Sequence, residues 1–230
     1  MKITLGINLK LVFIAFLVLA VESSVNCQTT ATMVAGPAVE AGVEGVVAHL
    51  PANTIVDALN VAAVGGNSGA IISQLMDKQA ADLQAGLKNV KVERIGEGIL
   101  ITLETRSMFE SDAYALSSTK NLKEVSRLLK KYTNTDALIE VHTDNTGEES
   151  YNQGLSEKRA SEVENYFIGQ GIKDARMKVK GYGEKQPIAS NDTEAGKLEN
   201  RRVEIAIFAN DEMKALASKG DLGVLVASKK

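Results

Sequence analysis

At 230 residues, 44% hydrophobic and 24% charged with a net charge of −3, the chain has the composition of a folded protein of one or two domains. No basic stripe offers phosphate neutralisation, and with no Trp and few other aromatics there is no base-stacking platform, so nucleic acid is excluded as a partner. A single cysteine, Cys27, excludes an internal disulfide and any CxxC metal or redox motif.

Lys2 and Lys10 precede or flank an apolar run from Leu11 to Val21, too short to span a membrane and suited to a signal-peptide core, so residues 1–26 read as a leader. The following Ser24-Val25-Asn26-Cys27 resembles the bacterial lipoprotein signal, in which the cysteine is lipidated and becomes the mature N-terminus. Asn26 and Ser24 depart from its usual residues, and plain secretion with cleavage near Ser23 or Ser24 is the other reading. Either route exports the protein. Residues 27–54, built largely from Ala, Gly, Val and Thr, read as a tether.

Residues 55–89 form a glycine-containing helical segment. Its first part, Ile55 to Ile72, is apolar but carries Asp57, Asn60 and Asn67, with Gly65 and Gly69 four apart. The charge and the two Asn argue against a spanning helix, leaving membrane contact or a small-residue hairpin packing on itself. Ile72, Leu75, Met76, Leu83 and Leu87 then give an amphipathic helix with Asp77, Lys78 and Asp82 outward.

A second domain spans residues 90–209. Ile99, Ile101 and Leu103 mark a strand, with Phe109 in the loop after it. Ser117-Ser118 is placed to cap a helix with the stripe Leu122, Val125, Leu128, Leu129 and Tyr132. Leu138, Ile139 and Val141 mark a second strand, and Asn145-Thr146-Gly147 a turn. On the helix that follows, Asn152, Leu155, Ser156, Arg159, Val163, Tyr166 and Phe167 share one face. Met177 with Val179, and Val203 with Ile205 and Ile207, give two more strands, separated by Gly181-Tyr182-Gly183, which reads as a turn. The order is β-α-β-α-β-β, an α+β fold of two helices on a mixed four-stranded sheet. Residues 210–230 form a tail with a short helical pattern and no functional reading.

Arg159 lies at the centre of the face that should be buried, and a buried guanidinium keeps its proton and needs a partner. Helical side chains lean toward the N-terminus, so it reaches back toward Asp144 at the end of the preceding strand. Two readings follow. The charges form a structural ion pair, or they frame a pocket in which Asp144 takes an ammonium and Arg159 a carboxylate, at ~1.5–3 kcal/mol per charge-assisted hydrogen bond.

The blocks TDNTG-EESYNQGLSEKRA, GYGEKQP, N-D-T and NRRVEI, in that order, resemble the OmpA-like (OmpA–MotB–Pal) peptidoglycan-binding domain, over roughly Gly98 to Phe208. That resemblance implies that Asp144 and Arg159 bind diaminopimelate of the peptidoglycan stem peptide, and so favours the pocket. It adds Phe109 as a roof and Thr143 beside Asp144, while Asn152 and Leu155 shape the wall. Asn200-Arg201-Arg202 is expected to work structurally, bonding loops and pairing with carboxylates. The Ile55–Ile72 stretch resembles the glycine-zipper segments of some OmpA-like lipoproteins.

Ser156, His142 and Asp144 supply the letters of a hydrolase triad, but Ser156 sits inside a helix without a nucleophile elbow. With only His49 besides His142, zinc lacks ligands, and Asp144, Asn145, Glu148 and Glu149 lack the spacing of a calcium loop. No metal, no cofactor and no catalysis are expected. The sequence reads as a wall-binding lipoprotein of the outer membrane, facing the periplasm, anchored by lipid at Cys27. The alternative is an assembly subunit that docks envelope proteins through the segment before Val90, which deletion of Ile55 to Leu87 would distinguish.

Overall fold

The computed structural model describes residues 55–220. Cys27, the leader and the tether lie outside the described residues. Two helices, α1 (Ile55–Ala62) and α2 (Gly66–Gly86), precede the hairpin of β1 (Lys91–Ile95) and β2 (Gly98–Glu104). There follow α3 (Lys120–Lys131), β3 (Thr135–His142), α4 (Glu149–Gly169), β4 (Met177–Gly183), α5 (Glu194–Asn200), β5 (Arg202–Ala209) and α6 (Asp211–Ser218). The strands make one five-stranded sheet in the order β1-β2-β5-β3-β4, antiparallel except for the parallel pair β3 and β4.

The α+β class and the order of the expected elements hold, on five strands rather than four. The additional strand, β1, is half-buried and carries Lys91, Glu93 and Arg94 at the edge of the sheet. Charge of that kind keeps an edge from pairing with other chains, and it also dilutes the alternation by which a strand is read. The helix α3 starts one residue after Thr119, not at Ser117-Ser118, and the Ser117 hydroxyl bonds the Met108 carbonyl instead (3.1 Å).

Alternation along the strands divides the core between the two faces of the sheet. Ile99, Ile101, Leu103, Ile139, Val141, Val203, Ile205 and Ile207 face one way, packed with α2, α3 and α4. Leu100, Leu138 and Ala206 face the other way and are covered by Ile55, Ala58 and Leu59 of α1. The expected hairpin packing on itself is therefore not what forms, since α1 and α2 pack on opposite faces. Burying each large side chain removes about 1.5–3 kcal/mol of apolar exposure, enough to draw the two helices apart.

The glycines between them serve the turn and one carboxylate. Gly65 and Gly66 have φ of 72° and 60°, and the Glu97 carboxylate accepts from Val64 N (2.8 Å) and Gly65 N (2.6 Å). A Cβ on Gly69 would lie 2.1 Å from the same carboxylate. Thus Gly69 makes room for an anion at the start of α2, where the helix dipole favours one. Among the described residues no helix is long and apolar enough to cross a membrane. The tail contributes too: Met213 and Ala217 of α6 are buried in the α2 core.

Gly181 and Gly183 are the end of β4 rather than a turn, and they let α4 lie almost on the strand's backbone. A Cβ on Gly181 would fall 2.2 Å from Glu157 N, and Gly183, at φ 56°, donates its N–H to Ser156 Oγ (2.8 Å). This contact holds the Asn152–Arg159 stretch of α4 against the ends of the central strands.

Candidate functional site

The floor of the site is the chain leaving β3. Thr143 N donates to Gly183 O (2.9 Å), and Asp144 Oδ1 accepts from Thr146 N (2.8 Å). Asn152 clamps this turn from α4: its side-chain amide donates to Glu184 Oε2 (2.6 Å), Thr146 O (3.1 Å) and Asp144 O (3.3 Å). Three acceptors exceed two N–H groups, so Asn152 has no hydrogen left for a ligand and shapes the wall instead. The Thr146 N–H is likewise committed to Asp144.

The facing wall is the loop after β2. Phe109 is buried and bridges to Leu116, and Arg159 lies over its ring with Cζ 5.1 Å from the centroid. Arg159 Nε donates to Ala113 O (2.8 Å) and Nη2 to Glu110 O (3.2 Å). Only 5% of Arg159 is exposed, yet among the described residues no carboxylate lies within 4.0 Å of it. Carbonyls orient a guanidinium without cancelling its charge. Burial pushes Arg159 down from its ordinary pKa, partly opposed by Asp112, and a guanidinium so placed still carries its proton.

Asp144 is paired, but not with Arg159. Its Oδ2 accepts from Nη1 of Arg201, at the junction of α5 and β5. Burial would raise the Asp144 carboxyl, but bonds from Thr146 and Arg201 outweigh it and hold the group below its ordinary value. The expectation of an acid left unpaired opposite Arg159 is corrected: the acid already has one arginine, and the second arginine has no acid.

Between these walls lies a cleft of about 410 Å³. All six residues expected from the sequence line it: Phe109, Thr143, Asp144, Asn152, Leu155 and Arg159. Arg106 and Asp112 line it as well and were not anticipated; Arg201, expected only to bond loops and pair with carboxylates, lines it too. The signal for Arg201 was present in Asn200-Arg201-Arg202, whose expected pairing with carboxylates holds for Arg201, the residue that ends α5, with Asp144 and for Arg202 with Glu204. Asn200 stitches the preceding loop, its Oδ1 accepting from Ile188 N (2.8 Å) and Ala189 N (3.0 Å), and Arg202 turns to Glu204 (3.3 Å). Only Arg201 reaches the cleft.

The triad letters do not converge. The Ser156 hydroxyl is used twice, accepting from Gly183 N and donating to Gln153 O (2.8 Å each). His142 faces Glu140 and Glu204, and Asp144 faces Arg201.

Residues 108–201 match the model of the OmpA family. The chain is 35% identical over 143 residues to the probable lipoprotein YiaD of Escherichia coli (strain K12), a match covering 60% of this chain and 65% of YiaD, just short of two thirds of its length. It is similar in fold to the cell wall anchor of the T6SS from Pseudomonas aeruginosa, at 27% identity and a TM-score of 0.51, over 60% of this chain and 99% of that one. To the outer-membrane lipoprotein YfiB of Pseudomonas aeruginosa it is 36% identical over 132 residues, 56% of this chain and 79% of YfiB. With a family model matched across the cleft and most of a curated relative covered, the chain belongs to the OmpA family.

Proposed function

We propose that this protein is a non-catalytic anchor that holds the outer membrane to the cell wall by binding the diamino acid of the peptidoglycan stem peptide. The carrying observation is a desolvated guanidinium, Arg159, with neutral partners only, in one cleft with a buried carboxylate. Arg159 takes the carboxylate of the zwitterion, and Asp144 takes its ammonium on the side not engaged by Arg201. Thr143, whose buried Oγ1 lacks a hydrogen-bond partner, is placed to add one polar contact, and Phe109 and Leu155 close over the aliphatic part. Lipid attachment at Cys27 places the domain in the periplasm. Weak single-site binding then suffices, because tethering beside a polymer raises the effective concentration. The names borne by the relatives, a lipoprotein and a cell wall anchor, support this reading.

Retention on purified sacculi tests it. Asp144→Asn and Arg159→Gln each remove one charge-assisted hydrogen bond, so each should weaken retention roughly 10–100-fold. Both variants should keep a cooperative melt. Unchanged retention in either variant, or loss of the fold in both, overturns the reading.

The assembly-subunit reading changes its test. Ile72, Met76 and Leu83 are fully buried in the core, so deleting Ile55 to Leu87 would unfold the domain rather than release a partner. Substitution of exposed Val61 and Val64 is the appropriate probe.

A further inference from the structure

The sheet face turned away from α2, α3 and α4 carries a buried polar cluster that the wall-binding cleft does not use. In the register of β3 against β5, Glu140 lies directly opposite Glu204, and His142 follows on the same face of β3. Like charges directly opposite one another on a sheet are destabilising, the more so when buried, and these are 2% and 8% exposed. Arg202 Nη2 lies 3.3 Å from Glu204 Oε2 and answers one of the two charges. Glu140 Oε2 and both ring nitrogens of His142, a residue 1% exposed, have no hydrogen-bond partner. Each such buried group is costly if nothing meets it.

We propose that Glu140, His142 and Glu204 form a binding site for a divalent transition metal ion, zinc by the nature of its ligands. One atom from each lies within 4.8 Å of the others. His142 Nε2 is 3.4 Å from Glu204 Oε2 and 3.8 Å from Glu140 Oε2. Tetrahedral zinc, with bonds of ~2.0–2.1 Å, sets its ligand atoms about 3.3 Å apart. His142 Nε2 and Glu204 Oε2 are already at that spacing, and the Glu140 side chain closes the site from within the 4.8 Å that bounds the three atoms. Tyr182 stacks on His142 at 5.4 Å and 3°, fixing the ring plane. The ion would tie β3 to β5 beneath the Asp144–Arg201 pair, and the site stands whether or not the cleft binds wall peptide.

The test uses the full chain without an affinity tag, stripped with chelator and titrated with zinc and with cobalt. One equivalent should bind, raise the melting temperature and, for cobalt, give the visible absorption of a tetrahedral site. Glu140→Gln and His142→Gln should each weaken binding by more than the roughly 10–100-fold that loss of an outer-shell partner costs. Binding below one equivalent in the wild type overturns the site. An unchanged cobalt spectrum in both variants also overturns it, by placing the ion elsewhere. Should a variant fail to fold, the wild type's stoichiometry and spectrum decide.

Discussion

Asp144 and Arg159 differ in what holds them, and their variants should differ accordingly. The Asp144 carboxyl is pushed up by burial but held lower overall by Thr146 and Arg201. A carboxylate with a depressed folded-state pKa stays ionised as pH falls through its ordinary value, and its contribution is lost only below that. Retention on sacculi should therefore be flat from neutral pH to about 4, and a midpoint near pH 6 would exclude Asp144 as the controlling group. Arg159→Lys keeps the charge but gives up the fork that reaches Ala113 O and Glu110 O together, so it should lose most of the retention that Arg159→Gln loses. Away from the cleft, Gln79 is fully buried with neither amide atom hydrogen-bonded. Gln79→Met should stabilise the fold by about 1–2 kcal/mol in urea unfolding, by removing an unmet polar group at nearly constant volume.

Contact of α4 with β4 is the packing on which the cleft depends. Gly181→Ala would force a methyl to within 2.2 Å of Glu157 N and lift α4 from the strand. A cost of about 3 kcal/mol is expected, with loss of wall retention as Asn152 and Arg159 move. Gly154, in the same helix, has nothing within 4 Å of its would-be Cβ, so Gly154→Ala should stabilise by about 0.5–1 kcal/mol. Thermal melts of the two variants should move in opposite directions. Much of α4 was legible beforehand: the helical wheel placed Asn152, Leu155, Ser156, Arg159, Val163 and Phe167 on the buried face, and all six are buried. Tyr166, assigned to the same face, is only half-buried, and Ala160 takes the remaining place. By contrast β1 was illegible, because an edge strand with three charged residues keeps little of the alternation that identifies a strand.

At the scale of the whole chain, α1, α2 and α6 complete the core of the domain they flank. Removing residues 55–89 would expose Leu100 and Leu138 on one face and Ile99 and Ile101 on the other. At about 1.5–3 kcal/mol per large side chain, the loss approaches the total stability of a typical domain, and the shortened chain should show no cooperative unfolding. What the sequence by itself determined is whatever depends on neighbours along the chain: the period of each main helix and strand, their order, and the placing of Arg159 on a buried face. Only the tertiary structure decided the partners. The last strand, β5, inserts between β2 and β3, and this brings Arg201 to Asp144 across 57 residues of chain and sets Glu204 opposite Glu140. Local periodicity reports which face of an element is buried, whereas pairing depends on which strand lies alongside, and strand order leaves no mark on the pattern of any one segment.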